Sequence, residues 1–314
     1  MQLAPIGLST YSRLRHIQQT VEALQRNTLA PYSDLYVFSD APQPGDEEKV
    51  QAVRDFLRTV SGFKRVEIIE RQTNSRTYNN RQGIRMLLEM YGKMIFMEED
   101  ILTAPSFLNF MNQALETYEG NKRVFSIAGY CPPINFPKDY PYDAFIHPRF
   151  NPWGFGIWKD RFDLIEMKIP KQVIKTVFFN PKNLYKFSKL GPDMIPNVIN
   201  NYFEFADGLD IRIIPQEFVL NMFTVYPTQY LVDNIGVDGS GMHARKKDHF
   251  RVDLFKEEKT EYKFPNTLEI NPEIMESFFK FRTGNLLIRI GKLFLWFIYL
   301  LSKKFLSTIG KTKP

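Results

Sequence analysis

Cysteine is almost absent from the 314 residues: Cys131 is the only one. That excludes an intrachain disulfide and any metal site built from several thiolates, and it suits a reducing, cytoplasmic setting. The opening residues have neither the basic start nor the continuous apolar block of a secretion signal, so none is expected. A spanning segment is not expected either, since a helix from 286 to 306 would have to snorkel Arg289 and Lys292. The longest apolar stretch of the C-terminal tail, "LFLWFIYLL" over 293–301, would rise about 13–14 Å as a helix against a hydrocarbon core of about 30 Å. Acid is the third absence. Residues 286–314 carry Arg289, Lys292, Lys303, Lys304, Lys311 and Lys313 with no Asp or Glu, and these account for the whole net charge of +6.

The rest of the chain is therefore formally neutral, with 35 basic against 35 acidic residues. A nucleic-acid binder would carry a basic face on its folded body, so nucleic acid is not an expected partner. On a helical projection Arg289, Lys292, Trp296, Tyr299 and Lys303 share one stripe, with Leu287, Ile290, Phe294, Phe297, Ile298 and Leu301 elsewhere on the wheel. Basic and interfacial aromatic residues on one face, with aliphatic residues opposite, predict a helix lying in the plane of a membrane surface. A helix packing back on the protein is the alternative, and the acid-free, lysine-rich flanks favour the membrane.

What is present begins with alternation. "APIGLST" (4–10), "DLYVFSD" (34–40), "KRVEIIER" (64–71) and "KMIFME" (93–98) read as strands. Between them, 13–27, 46–60 and 80–91 read as helices, the second with acids in its first turn, where the helix dipole favours them. This βαβαβαβ order predicts a mostly parallel α/β sheet covered by helices on both faces. Ligands of such sheets bind beyond the carboxyl ends of the strands. After residue 131 the texture changes to proline- and aromatic-rich loop with short strands. Residues 192–208 read as a helix stopped by Gly208, 210–223 as a strand interrupted by Pro215, and 234–243 as a glycine-rich loop ending in His243.

Two acidic features sit at strand ends: Asp40, and the run Glu98, Glu99, Asp100. The triplet could serve only the positive N-terminus of the helix that follows it, yet one acid would do that. Three acids facing a ligand crevice suit a hard divalent cation, Mn²⁺ or Mg²⁺, bound together with a nucleoside diphosphate.

Five segments in order over roughly residues 5–245 resemble the GT-A glycosyltransferases, in particular a bacterial group similar to the N-acetylglucosaminyltransferase I family. "IGLSTYSRLRHIQQTVEALQRN" is similar to that group's opening strand and helix, and "LYVFSDAP" to its "FSDGP" strand end. "MIFMEEDILTAPSFLNFMNQAL" resembles the "EDD" block, the family's version of the DxD motif. "NPWGFGIW" resembles the "GWGxxxW" segment, and "NIGVDGSGMH" the late glycine-rich loop. The resemblance implies a GT-A fold and transfer of a sugar from a nucleoside-diphosphate donor, most often a UDP-sugar, with inversion at the anomeric carbon.

By residue, it implies Asp100 as metal ligand, with Glu98 and Glu99 facing the ribose and metal-bound water. Asp40 would contact the nucleoside, and His243 the diphosphate or metal, unless it is simply a loop histidine. Trp153 and Gly154 fall on the acceptor side, with Trp158 the better candidate for packing. The catalytic base corresponds to a "WDDW"-like stretch, and the nearest match, "GPDMIP", nominates Asp193 without its flanking tryptophans. Asp193 could equally be a helix-start acid; Asp143 and Glu204 are held in reserve.

The sequence also departs from the pattern. "NSRTYNN" keeps Asn74 but lacks the usual glycine, with Arg76 and Arg81 adding positive charge toward a phosphate, and Ala41 and Phe155 replace a glycine and a tryptophan. The expected organisation is a nucleotide-sugar half (1–130), an acceptor half (131–250), an extension (251–285) and the membrane-interface tail (286–314). The expected acceptor is a glycan, on a lipid carrier, met at the cytoplasmic face of the membrane. A sugar nucleotidyltransferase would need a glycine-rich phosphate loop after the first strand, and "LSTYSRLRH" has no glycine. A non-catalytic scaffold of the same fold would be marked by loss of the metal acid, and Asp100 is present.

Overall fold

A computed structural model describes residues 2–236, 238 and 250–283. Positions His243, Arg289, Lys292, Trp296, Tyr299 and Lys303 lie outside the described residues.

The N-terminal half alternates as the sequence predicts: β1 (Ile6–Thr10), α1 (Leu14–Gln25), β2 (Asp34–Ser39), α2 (Glu47–Leu57), β3 (Arg65–Glu70), α3 (Arg76–Tyr91) and β4 (Lys93–Glu98). A short strand absent from the sequence reading, β5 (Ile101–Thr103), separates the acidic triplet from α4 (Phe107–Thr117). Then come β6 (Val124–Ala128), β7 (Ala144–His147), β8 (Phe155–Trp158) and α5 (Lys159–Phe162). The chain continues through α6 (Lys171–Phe178), α7 (Pro181–Ser188), α8 (Met194–Tyr202), α9 (Leu209–Val219), β9 (Phe223–Pro227), β10 (Val232–Asn234) and α10 (Pro272–Thr283).

Eight strands form one sheet in the order β3-β2-β1-β4-β8-β6-β9-β7. Strands β3, β2, β1 and β4 pair in parallel, and β6 and β9 run the same way, so only β8 and β7 oppose the common direction. The fold is therefore mixed α/β with a mostly parallel central sheet. Strand β10 pairs antiparallel with β5 beside it. Burial explains the central strands: β1 is buried at every position, because helices cover both of its faces. Ile17, Val21 and Leu24 of α1 pack on one side, while Leu87 of α3 joins Phe38 and Phe96 on the other.

Residues 209–219 correct the strand expected over 210–223. The alternating Ile211 and Ile213 suggest a strand, but Ile211, Ile214, Pro215 and Phe218 at helical spacing form the packed face of α9. Pro215 forfeits one backbone hydrogen bond; Gln216 brings others, accepting from Glu166 N and donating to Glu166 O, both at 2.9 Å. Gly208 begins this helix rather than ending the one before it, and α8 stops at Tyr202.

The segment 250–283 packs on the body. Tyr118 Oη donates to Pro265 O at 2.7 Å, and Phe278 of α10 stacks on the buried His147 at 3.8 Å between ring centroids. Among the described residues no helix is long and apolar enough to cross a membrane.

Candidate active site

The strand order places the end of β1 beside the end of β4, so the loop after Thr10 meets the acidic turn. Glu99 is 5% exposed and faces that loop. Its carboxylate accepts from Thr10 Oγ1 (2.5 Å), Tyr11 N (2.7 Å) and Arg13 Nε (2.6 Å), while its carbonyl accepts from Thr20 Oγ1 (2.6 Å). Glu99 thus fixes the loop following β1. Glu98 lies on the other side of the turn, where Asn80 Nδ2 donates to it at 2.9 Å and Ser9 Oγ donates to Asn80 Oδ1 at 2.5 Å. Burial and the neighbouring Asp100 push the Glu98 carboxyl above the ordinary carboxylate range, with Arg76 opposing them.

Asp100 stands between these two. Its Oδ2 accepts from Arg13 Nη2 at 2.6 Å, and its Oδ1 is buried with no hydrogen-bond partner. One guanidinium therefore bridges Glu99 and Asp100. Burial alone would lower the Arg13 pKa, and the two carboxylates together raise it well above its usual value. Ile235 N donates to Asp100 O at 2.9 Å, which brings residues 235 and 236 against the turn. Position 236 has to be glycine: a Cβ there would stand 2.1 Å from Asp100 Oδ2. Near the same loop, His16 Nε2 lies 3.2 Å from Asp238 Oδ2.

Asp40 and Asn74 come together at the neighbouring strand end. Asp40 is buried and accepts from Ala41 N (2.9 Å) and Ser75 N (3.1 Å), with Asn74 Nδ2 at 3.4 Å. Asn74 also donates to Ala41 O at 2.6 Å. Tyr11 Oη bridges this region to α2, donating to Asp46 at 2.9 Å and accepting from Gln43 N at 2.9 Å. Arg81 reaches Asp207 at 3.2 Å, and Arg212 reaches the same carboxylate at 2.9 Å. These pairs hold the turn before α9 over α3, one residue from the Asn80 that binds Glu98.

Asp193 is placed differently from its nomination as base. Arg149 Nη1 and Nη2 donate to its two oxygens at 3.0 and 2.7 Å. Burial would raise its pKa, but the Arg149 charge and hydrogen bonds outweigh that and hold it at about 2. A carboxylate so stabilised is a weak proton acceptor, and the structure gives it the role of an ion-pair partner. The reserves are engaged too: Asp143 accepts from Lys259 Nζ at 2.6 Å, and Glu204 pairs with Lys168 at 2.7 Å. A further carboxyl nearby is Asp210, in the first turn of α9, which the sequence reading does not single out. Burial raises its pKa, with Arg149 opposing and Asp193 adding to the shift. The signal available in the sequence was an acid two residues after Gly208 at a helix start.

Trp153 meets Tyr130 edge-on at 4.8 Å and Phe250 at 5.7 Å, within an aromatic cluster. Gly154 has φ +61° and its carbonyl accepts from Gly129 N at 2.6 Å, so it joins the ends of β6 and β8. Trp158 is buried beneath the Arg161 guanidinium, 4.2 Å above its ring.

Among the described residues no group of three or more His, Cys, Asp or Glu side chains could hold a metal. The unpartnered Asp100 Oδ1 fits a cation held through one carboxylate oxygen, with the rest of the shell supplied by a ligand.

No family model matches the chain, and no curated protein matches it. Solved structures do. GalNAc-T7 with UDP, GalNAc and Mn²⁺ matches at 8% identity and TM-score 0.43, covering 72% of this chain and 42% of that one. TarS from S. aureus matches at 9% and 0.42, covering 75% and 37%. The mannosyltransferase PcManGT from Pyrobaculum calidifontis, with GDP-Man and Mn²⁺, matches at 10% and 0.39, covering 68% and 69%. The chain thus spans well under half the length of TarS and of GalNAc-T7. At such scores neither a shared fold family nor a shared chemistry follows.

Proposed function

We propose that the chain is a GT-A-like glycosyltransferase. It moves a sugar from a nucleoside diphosphate, a UDP-sugar in this reading, onto a glycan acceptor carried on a lipid at the cytoplasmic face of a membrane. The observation that carries the reading is the Asp100 carboxylate. It lies at the carboxyl end of a central parallel strand under a glycine, with one oxygen bound to Arg13 and the other buried and unpaired. The five motifs that resemble GT-A enzymes support it.

In this mechanism Asp40 and Asn74 form the floor on which the nucleoside rests. Glu98, held by Asn80, offers a carboxyl to the ribose hydroxyls. Glu99 keeps Arg13 in place, and Arg13 turns positive charge toward the diphosphate. Asp100 Oδ1 would hold Mn²⁺ or Mg²⁺, and a bound cation would stabilise the charge growing on the departing nucleoside diphosphate. Asp210 is the base of this reading. The Arg81–Asp207 and Arg212–Asp207 pairs hold the start of its helix beside the Asn80 that binds Glu98. Burial raises its pKa, which suits it to take the proton of an attacking acceptor hydroxyl. Inversion then follows from a single attack on the face opposite the leaving group.

The test is calorimetric titration of UDP with and without Mn²⁺ into the wild type and Asp100→Asn. Metal-dependent binding that falls at least tenfold in the variant supports the site. Equal binding in both proteins would sink it. Asp210→Asn should keep nucleotide binding and lose turnover. A non-catalytic nucleotide-binding scaffold is the second reading, favoured by the Arg13–Asp100 pair, which already supplies Asp100 with a cation. It gains if UDP binds and no donor sugar is ever released.

A further inference from the structure

Residues 167–192 contain Lys168, Lys171, Lys175, Lys182, Lys186 and Lys189 and not one acid. They form α6 and α7, a pair of eight-residue helices joined by a short turn. Each helix is two-faced. In α6, Val173 and Val177 are buried, while Lys171, Lys175 and then Phe179 just beyond its end follow one another at i, i+4 and i+8 on the exposed side. In α7, Phe187 is buried, and Lys182, Tyr185 and Lys186 are exposed at i, i+3 and i+4.

Both outer faces therefore carry the same composition, lysine with an aromatic ring. Phe179 is 81% exposed and Tyr185 64%. Lys168 is paired with Glu204. Lys171, Lys175, Lys182 and Lys186 have no ion pair among the described residues, although Arg and Lys elsewhere in the body pair repeatedly. Lys189 lies over the Tyr185 and Phe279 rings at 5.4 and 4.6 Å, which ties this face to α10. A cavity of about 650 Å³ opens between α7 and α10, lined in part by Lys186, Lys189, Met275 and Phe279, with Glu276 the one acid among its walls. That acid lies beside Lys280 at 3.7 Å.

We infer that the α6–α7 face is a docking surface for an anionic lipid bilayer. Charge complementarity selects a negative partner. The exposed ring of Phe179, at the turn between the two helices, selects a bilayer over a nucleic acid or an acidic protein. Aromatic side chains settle at the headgroup level, and lysines beside them gain from the surface potential. Lysine stems also lie along apolar surface while their ammonium groups stay in the headgroups. The inference deepens the membrane part of the function proposed above. It also uses residues of the folded body and is independent of the tail that follows α10.

The test uses the full chain with phosphatidylglycerol-containing vesicles and with pure phosphatidylcholine vesicles. The wild type should co-sediment with the former. Lys175→Glu/Lys182→Glu/Lys186→Glu should lower its partitioning by about fivefold for each lysine changed. Relative to the wild type with its own Trp153, Trp158 and Trp296, Phe179→Trp should add a blue-shifted component on the anionic vesicles and none on phosphatidylcholine alone. Unchanged partitioning of the triple variant overturns the inference. So does a vesicle-bound Phe179→Trp protein whose emission shifts no more than that of the wild type, or a wild type that binds an oligonucleotide through these lysines while ignoring both vesicles. UDP titration of the same variants separates the two readings. The triple variant should bind nucleotide as the wild type does, and a wild type that binds vesicles but not UDP loses only the proposed chemistry.

Discussion

Two arginine–carboxylate arrangements in this molecule differ in one respect. At Asp193, Arg149 matches its two donors to the two oxygens of a single acid, and nothing is left over. At the acidic turn, Arg13 divides its donors between Glu99 and Asp100, and Asp100 Oδ1 is left buried with no partner. The first is a closed pair and serves the fold. The second is open, and an unpaired buried oxygen is costly unless something else completes it. Sequence alone ranks both as acids near loops; pairing separates them. A third carboxyl marks the other limit. Glu217 has no arginine; the Thr224 hydroxyl donates to it at 2.7 Å, and burial pushes its pKa up to about 8 against that bond and one from the Phe150 backbone.

Three substitutions would break or sharpen this contrast. Asp193→Asn should have the largest effect on the fold, because it strands the buried Arg149 charge. Breaking a fully buried pair costs about 3–5 kcal/mol. Asp193 is 38% exposed, so solvent screening reduces the expectation to about 2 kcal/mol, read as a drop in melting temperature. Its pH signature has a fixed sign. A carboxyl depressed to about 2 stabilises the fold above its unfolded pKa of about 3.9, and that stability is lost as pH falls from about 4 toward 2. Melting curves of Asp193→Asn should lack that part of the acid loss.

Arg13→Gln comes next. It removes the resident cation from Asp100 and should raise Mn²⁺ affinity without nucleotide by about tenfold, on the order of 1.4 kcal/mol, measured by calorimetry. Affinity unchanged or lowered would mean that the turn is closed in the manner of Asp193. The third substitution is Glu217→Gln. With a folded pKa of about 8, Glu217 contributes stability that is complete below about pH 4 and is lost as pH rises through about 8. The variant should melt with the wild type near pH 5 and a few degrees above it at pH 9.

Legibility followed element length and strand order. Strands β1 to β4 and helices α1 to α3 stand out because they are long, and β1, β2 and β4 are buried on both faces. Strands β5, β7, β8 and β10 span three or four residues each, too short for a period to show. In α9 a proline and a run of isoleucines imitate a strand, and only the packing of Ile214 and Phe218 reveals the helix. The acidic turn was readable because three like charges at a strand end exceed what the next helix start needs, although the structure gives Glu99 the task of fixing the loop after β1. Arg13 was not, since its partnership with Asp100 exists only because β1 lies beside β4. Asp210 was hidden by the strand reading of its own segment.

The stacking of Phe278 on His147 carries a consequence for the life of the chain on the ribosome. Strand β7 is made early, but the helix that covers His147 and shields Arg149 arrives at the very end of the described residues. Until α10 emerges, an apolar seam around Phe145, His147 and Tyr226 stays open to water and to neighbouring chains. A nascent or shortened chain that stops before residue 272 would therefore need a chaperone, and a recombinant form trimmed for solubility should keep everything through Thr283.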